Sequence, residues 1–292
     1  MPECLPRPRL LACDIDGTLL DDHGTLPNAV RRAIAAITES GVEVVLATGR
    51  SPWSGIVDLS DRLSLTGPQI TMQGALVSVP ATGEVHRLRA IPTALYRDTL
   101  RFADELGLDP VVGLLDGHRA ERLPEGGELF VNPMTAGRSF RYVEGLERLV
   151  PERPIRVFLP TGPDRHAAVR RLALTRFAAR ASIVWSDLTG IEILAVDTHK
   201  GEAVSWLAAS RGIGMEEVAA VGDATNDVEM LRQAGRSAAM GTAPAEVRYC
   251  ADVIVPSSAD LGVLDAFAWF FPDLATEIAA PVGQRHRAWS VA

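Results

Sequence analysis

The stretch Leu10–Leu20, LLACDIDGTLL, constrains this chain more than any other. Four apolar residues, Leu10 to Cys13, stop abruptly at Asp14-Ile15-Asp16-Gly17-Thr18. An apolar run that ends in charge predicts a buried parallel strand whose C-terminal end opens onto a site. In extended geometry Asp14 and Asp16 point to the same side of the chain. Two carboxylates held close repel unless a cation or a shared proton lies between them. Gly17 provides a turn that a Cβ would resist. Acidic residues and a glycine after a strand also make an ordinary turn, so the rest of the chain must decide between the two readings.

The next segment, as far as Ser51, has the pattern of a helix and a second strand. Asn28 is the expected helix cap, and Val30, Ala33, Ile34 and Ile37 fall on one face at helical spacing. Gly41 ends the helix, and Val42–Ala47 is a second apolar strand closing on Thr48-Gly49-Arg50-Ser51. A right-handed βαβ unit makes these strands parallel, which brings Thr48 beside Asp14. A hydroxyl, a small residue and a helix start around Ser51–Trp53 suit a phosphate oxygen; a threonine capping that helix is the plainer explanation of the same residues.

The chain has 292 residues, enough for one large domain or two ordinary ones. Its 47% apolar and 23% charged content is that of a globular protein. A formal charge of -8 argues against a nucleic-acid or anionic-membrane surface, while leaving room for a locally positive pocket. No apolar stretch is long enough to span a bilayer, and no signal core precedes Leu10, so the expectation is a cytoplasmic protein. Cys4, Cys13 and Cys250 have neither metal-ligand spacing nor an even number.

Pro68–Met72 is expected as a third strand, followed by Gln73-Gly74-Ala75 and a hairpin around Pro80–Glu84. Past Leu88 the texture changes. A helix is expected over Thr93–Leu106, another over Asp164–Ala179, and strands at Val111–Leu115, Ile155–Leu159, Ser182–Trp185 and Ile191–Val196. Gly117–Gly137, rich in Gly, Pro and charge, is read as loops or edge structure. The expected division is a core over 1–85, an inserted α/β domain over 86–196 and the rest of the core over 197–292. Strand-helix alternation then returns. Gly201–Arg211 is helical, and Val218–Val221 is a buried strand ending in Gly222-Asp223-Ala224-Thr225-Asn226-Asp227. Val228–Ala234 begins the next helix. After Pro272 the periodicity is weak.

Four strand ends or loop starts thus carry the unusual residues: Asp14 with Asp16, Thr48, Lys200, and Asp223 with Asn226 and Asp227. Together the segments DIDGTL, ATGR, HKGEAV and GDATNDVEML, with AMGTAPAEV downstream, resemble the haloacid dehalogenase (HAD) superfamily. The nearer resemblance is to its Cof-like phosphatases with a large α/β cap. It covers the whole core in order and spacing, and in the cap only the general layout.

That resemblance implies an α/β fold: a Rossmann-like parallel-sheet core with helices on both faces, plus an inserted cap closing over the leaving group. It implies a phosphomonoesterase acting on small phosphorylated metabolites. Asp14 would be the nucleophile and Asp16 the acid and base. Thr48, Gly49, Lys200 and Asn226 would bind the phosphorylated substrate. Mg²⁺ would be held by Asp14, Asp16 (through its backbone carbonyl) and Asp223, with Asp227 supporting the site. Taken singly, Asp223 and Asp227 are also explained as helix-start acids, Lys200 as an exposed lysine and His199 as a solvated loop histidine. Two departures from the family pattern, Gln73 for Asn and Thr242 for Asn, fall where substrate contacts are expected. A phosphomutase and a non-catalytic metabolite-binding relative are the alternatives. A dinucleotide site is set aside because the first βα turn lacks G-x-G-x-x-G.

Overall fold

The computed structural model describes residues 6–21, 23–122, 140–185, 189–279 and 290–291. Cys4, Arg138, most of Gly117–Gly137 and most of the chain beyond Ala279 lie outside the described residues. In chain order the strands are β1 (Leu10–Cys13), β2 (Glu43–Leu46), β3 (Gln69–Thr71), β4 (Leu76–Ser78) and β5 (Val85–Leu88). Then come β6 (Val111–Leu114), β7 (Gly117–Ala120), β8 (Phe140–Tyr142), β9 (Arg156–Pro160), β10 (Ala181–Val184) and β11 (Gly190–Ala195). The last are β12 (Val218–Gly222), β13 (Arg236–Met240), β14 (Val253–Val255) and β15 (Ser290–Val291). The chain forms two compact units.

The first unit comprises the described parts of Met1–Thr48, Leu59–Ile70 and Lys200–Ala292. Its sheet runs β15-β14-β13-β12-β1-β2 and is parallel apart from β15. β1 lies between β12 and β2, and all four of its residues are fully buried. A strand buried throughout must be covered on both faces. The helix Asn28–Glu39 packs with Gly262–Phe270 and Ala275–Ala279, while Lys200–Ser210 packs with Val228–Gln233, so two helix groups supply the cover. The first of these helices buries Val30, Ala33, Ile34 and Ile37, each of the larger side chains contributing about 1.5–3 kcal/mol relative to exposure. Its cap differs from expectation: Pro27 occupies the cap position, Asn28 is the first helical residue, and no side chain caps it. Pro27, at φ -65°, already has the backbone angle a helix entry needs.

The second unit comprises the described parts of Gly49–Asp58 and Thr71–His199. Its main sheet runs β10-β11-β9-β6-β7-β8, antiparallel except for β7 with β8. The helices Thr93–Glu105 and Gly162–Phe177 share a core with it that includes Leu95, Leu114, Val157 and Ile191. Phe102 and Phe177 meet edge to face at 5.2 Å within that core. β4 and β5 form the expected hairpin, closed by the Val79 N–H on the Glu84 carbonyl. Two expectations are corrected here. Gly117–Ala120, read as loop or edge structure, is the buried strand β7, because His118 and Arg119 find partners that let them go inside. The helix expected around Ser51–Trp53 starts only at Ile56, since residues 52–55 are spent on turns.

Candidate active site

The register of the first unit's sheet assembles the site. β1 pairs Cys13 with Leu46 on one side and with Val221 on the other. The Asp14 N–H continues the ladder to the Val221 carbonyl at 3.0 Å, and the Ala47 N–H reaches the Cys13 carbonyl at 2.8 Å. Asp14, Thr48 and Asp223 therefore leave one sheet edge together. The Thr48 N–H is held by the Ile70 carbonyl at 3.0 Å, and its side chain is buried.

Beyond Cys13 the chain does not stay extended. The N–H groups of Leu19 and Leu20 both return to the Ile15 carbonyl at 3.0 Å, and Gly17 takes φ +79°. The expected same-side pairing of Asp14 with Asp16 is thus corrected: Asp14 is buried and Asp16 is exposed. Asp14 stands at the end of the strand and Asp16 lies in the turn that follows it. A Cβ on Gly17 would lie 2.5 Å from Asp223 Oδ2, so glycine is required both for the angle and for the room.

Lys200, the first residue of its helix, is buried with its ammonium between two carboxylates. Nζ donates to Asp14 Oδ1 at 2.6 Å and to Asp227 Oδ1 at 2.7 Å. It is not the exposed lysine that its local sequence alone suggests. Asp227 Oδ2 accepts the N–H groups of Asp223 and Ala224 at 3.1 and 3.0 Å, so this one carboxylate fixes both the loop and the lysine. Thr18 donates to Asp223 Oδ1 at 3.0 Å, a role that sequence reasoning did not assign although Thr18 lies inside the DIDGTL segment. Asn226 sits in the short helical turn Thr225–Asp227, half-buried. Gly49 belongs to the second unit, where its carbonyl accepts from Arg156 at 2.7 Å. Gln73 is buried in that unit, and Thr242 is exposed after β13.

The electrostatics are those of crowded negative charge. Burial above all pushes the Asp14 carboxyl well up, with Lys200 opposing and Asp227 and Asp223 adding to the rise. Asp223 is raised by burial and then by Asp227. Burial pulls Lys200 down, but Asp14 and Asp227 outweigh it and hold the ammonium above the usual lysine range. Burial, with help from Asp14, pushes the Cys13 thiol up, so Cys13 behaves as a small buried hydrophobe. Three carboxylates against one ammonium leave two negative charges uncompensated when all are ionised. Asp14, Asp223 and Asp227 each offer an oxygen within 4.8 Å of the others. An all-oxygen set with that charge deficit fits a hard divalent cation.

A parallel sheet edge carrying a buried aspartate, an anchoring lysine and a carboxylate cluster defines an α/β enzyme of the phosphoryl-transfer type. The model of the haloacid dehalogenase-like hydrolases matches residues 11–267, and the chain belongs to that family. It is a HAD-type phosphatase. It is similar to YxeH of Bacillus subtilis, 30% identical over 267 residues that cover 88% of this chain and 96% of YxeH. It is also similar to the 5-amino-6-(5-phospho-D-ribitylamino)uracil phosphatase YcsE of Bacillus subtilis, 27% identical over 260 residues, covering 88% and 94%. Among solved structures, the subclass IIB sugar phosphatase BT4131 shares the fold, with a TM-score of 0.78, 24% identity and coverage of 90% and 98%. No helix among the described residues is long and apolar enough to cross a membrane.

Proposed function

We propose that this phosphatase hydrolyses phosphomonoesters of small metabolites, with Mg²⁺, through a phosphorylated Asp14. The observation that carries the proposal is the Lys200–Asp14 contact. One carboxylate oxygen is pinned at 2.6 Å by a buried ammonium, which orients Asp14 at the end of β1 and keeps it from being a mere surface acid. YcsE, named for a small phosphorylated substrate, supports the substrate class.

In the first step an Asp14 oxygen forms a bond to phosphorus while the bond from phosphorus to the ester oxygen breaks. The departing oxygen takes a proton from Asp16, which is exposed in the turn after β1. In the second step water attacks phosphorus and gives its proton to Asp16. The acyl phosphate bond breaks, restoring Asp14 and releasing phosphate. Lys200 holds Asp14 in place and offsets charge on the phosphoryl oxygens, and Thr48 binds those oxygens. Asp14, Asp223 and the Asp16 carbonyl would hold Mg²⁺, with Asp227 and Thr18 orienting the loop and Asp223. Bound Mg²⁺ supplies charge neutralisation at the phosphoryl group.

The test is phosphate release from a panel of sugar phosphates, phosphorylated cofactors and polyol phosphates, with Mg²⁺ and with chelator, beside Asp14→Asn. Release that needs Mg²⁺ and disappears in the variant is expected. Release by a folded Asp14→Asn at the wild-type rate would end the proposal.

A further inference from the structure

The second unit holds a polar cluster that the chemistry above does not use. Arg156, Gln73, His118, Ser51 and Glu192 are all buried. Burying a guanidinium costs several kcal/mol unless it is paired and hydrogen-bonded, and Arg156 is both. Its Nη1 donates to Glu192 Oε2 at 2.8 Å and to the Gly49 carbonyl at 2.7 Å. Its Nη2 donates to Ser51 Oγ at 2.9 Å and lies 3.2 Å from His118 Nε2. The second Glu192 oxygen, Oε1, accepts from Gln73 Nε2 at 2.8 Å. Burial, then Arg156 and Arg119, push the His118 imidazole down to about 3, so the ring is neutral. Facing the Arg156 guanidinium, which can only donate, Nε2 accepts in the tautomer that carries its proton on Nδ1.

The backbone makes three concessions to this arrangement. A Cβ on Gly49 would lie 2.4 Å from Gln73 Nε2, and one on Gly113 would lie 2.8 Å from Arg156 Cγ. Gln73 itself takes φ +61°, a left-handed angle that is strained for a non-glycine residue. All three bring Gln73, Gly49 and Arg156 together. A guanidinium fixes the direction of several hydrogen bonds at once, which a lysine cannot. Of the two residues it grips, Gly49 follows Thr48 directly in the chain and Ser51 lies two positions further on.

We propose that Arg156 is a positioning residue: through the Gly49 carbonyl and the Ser51 hydroxyl it fixes the turn after Thr48, with Gln73 and Glu192 holding Arg156 in place. This rests on the reading of Thr48 as a phosphoryl-binding residue. Gln73, the departure from the family pattern, is thereby a support of Arg156.

The test is a double-mutant cycle on the full chain, with 4-nitrophenyl phosphate as probe and saturating Mg²⁺. Arg156→Met and Thr48→Val are each expected to lower kcat/KM, by about tenfold or more, with the loss visible in kcat. The double variant is expected to fall little below the worse single one, because Arg156 acts through Thr48. Arg156→Lys should restore only part of the loss. Ser51→Ala, which leaves no charge unpaired, gives a smaller decrease by the same non-additive rule and carries the test if Arg156→Met does not fold. Losses that multiply, or a folded Arg156→Met with wild-type kcat/KM, would overturn the proposal while leaving the role of Thr48 intact. A silent Thr48→Val beside an impaired Arg156→Met would instead remove the reading of Thr48, and the proposal with it.

Discussion

At the residue scale the site turns on Lys200. Its ammonium is the one positive charge contacting Asp14 and Asp227 among the described residues, and both contacts are buried. Removing one partner of such a set leaves charge without compensation and costs about 3–5 kcal/mol. Lys200→Met, with metal chelated, is therefore expected to lower the urea midpoint of unfolding strongly. Its kcat/KM is expected to fall about 100-fold or more, as on loss of a group facing developing charge. A variant as stable and as active as wild type would contradict both roles given to this lysine. The same residue marks what the sequence left open. Lys200 in HKGEAV is visible as a motif position, yet nothing in its neighbours makes a lysine at a helix start go inside. Its burial is decided by Asp14, 186 positions earlier, and Asp227, 27 positions later. Asp16 is the converse case: alternation predicts an extended pair with Asp14, but the Ile15 carbonyl captures the next turn.

At the scale of elements, the helix that begins at Lys200 is seated by a close approach to its neighbour. A Cβ on Gly201 would stand 2.6 Å from the carbonyl carbon and oxygen of Glu229, which are backbone atoms that cannot swing away. Gly201→Ala should thus push the two helices apart, costing about 1–3 kcal/mol as overpacking does. It should also lower kcat/KM, because Lys200 moves with the helix. Unfolding and kinetics measured on one preparation check both, and a variant unchanged in both would show the approach to be looser than described. Most elements were legible, because β1, β12 and the helix Asn28–Glu39 follow simple apolar patterns. β7 was not. Its sequence, Gly-His-Arg-Ala, has no large apolar residue to mark a strand, and it becomes one because Leu114 pairs with Gly117 and Arg119 finds Asp116 at 2.6 Å. The helix expected near Ser51 failed for a related reason, since Ser51 is engaged by Arg156 from 105 positions away.

At the scale of the whole molecule, ionisable groups set the response to acid. Burial and then Arg156 and Arg119 hold His118 at about 3 against an ordinary 6.5. As pH falls from 6.5 toward 3 the unfolded chain takes a proton that folded His118 refuses, so stability falls over that window. Asp98 adds to the trend: hydrogen bonds from Arg180 and then Arg176, opposed by burial, keep its carboxyl below the usual range. Its contribution is present above the unfolded value and disappears as pH falls through the folded one. Urea midpoints between about pH 6.5 and 4 should decline less steeply in His118→Asn than in wild type. Parallel curves would contradict the assignment of a buried neutral imidazole.

The proposed chemistry stands or falls on two roles: Asp14 takes the phosphoryl group, and Asp16 then activates water. With an aryl phosphate the leaving group needs little help from an acid, so Asp16→Asn should still form the acyl phosphate and stall before hydrolysis. The decisive measurement is therefore an acid-quenched reaction of that variant with 4-nitrophenyl phosphate and Mg²⁺. A burst of about one equivalent of 4-nitrophenol per active enzyme molecule is expected, with a phosphoryl adduct mapped by mass spectrometry to the peptide carrying Asp14. Steady turnover with neither burst nor adduct, or an adduct on another residue, would refute the mechanism.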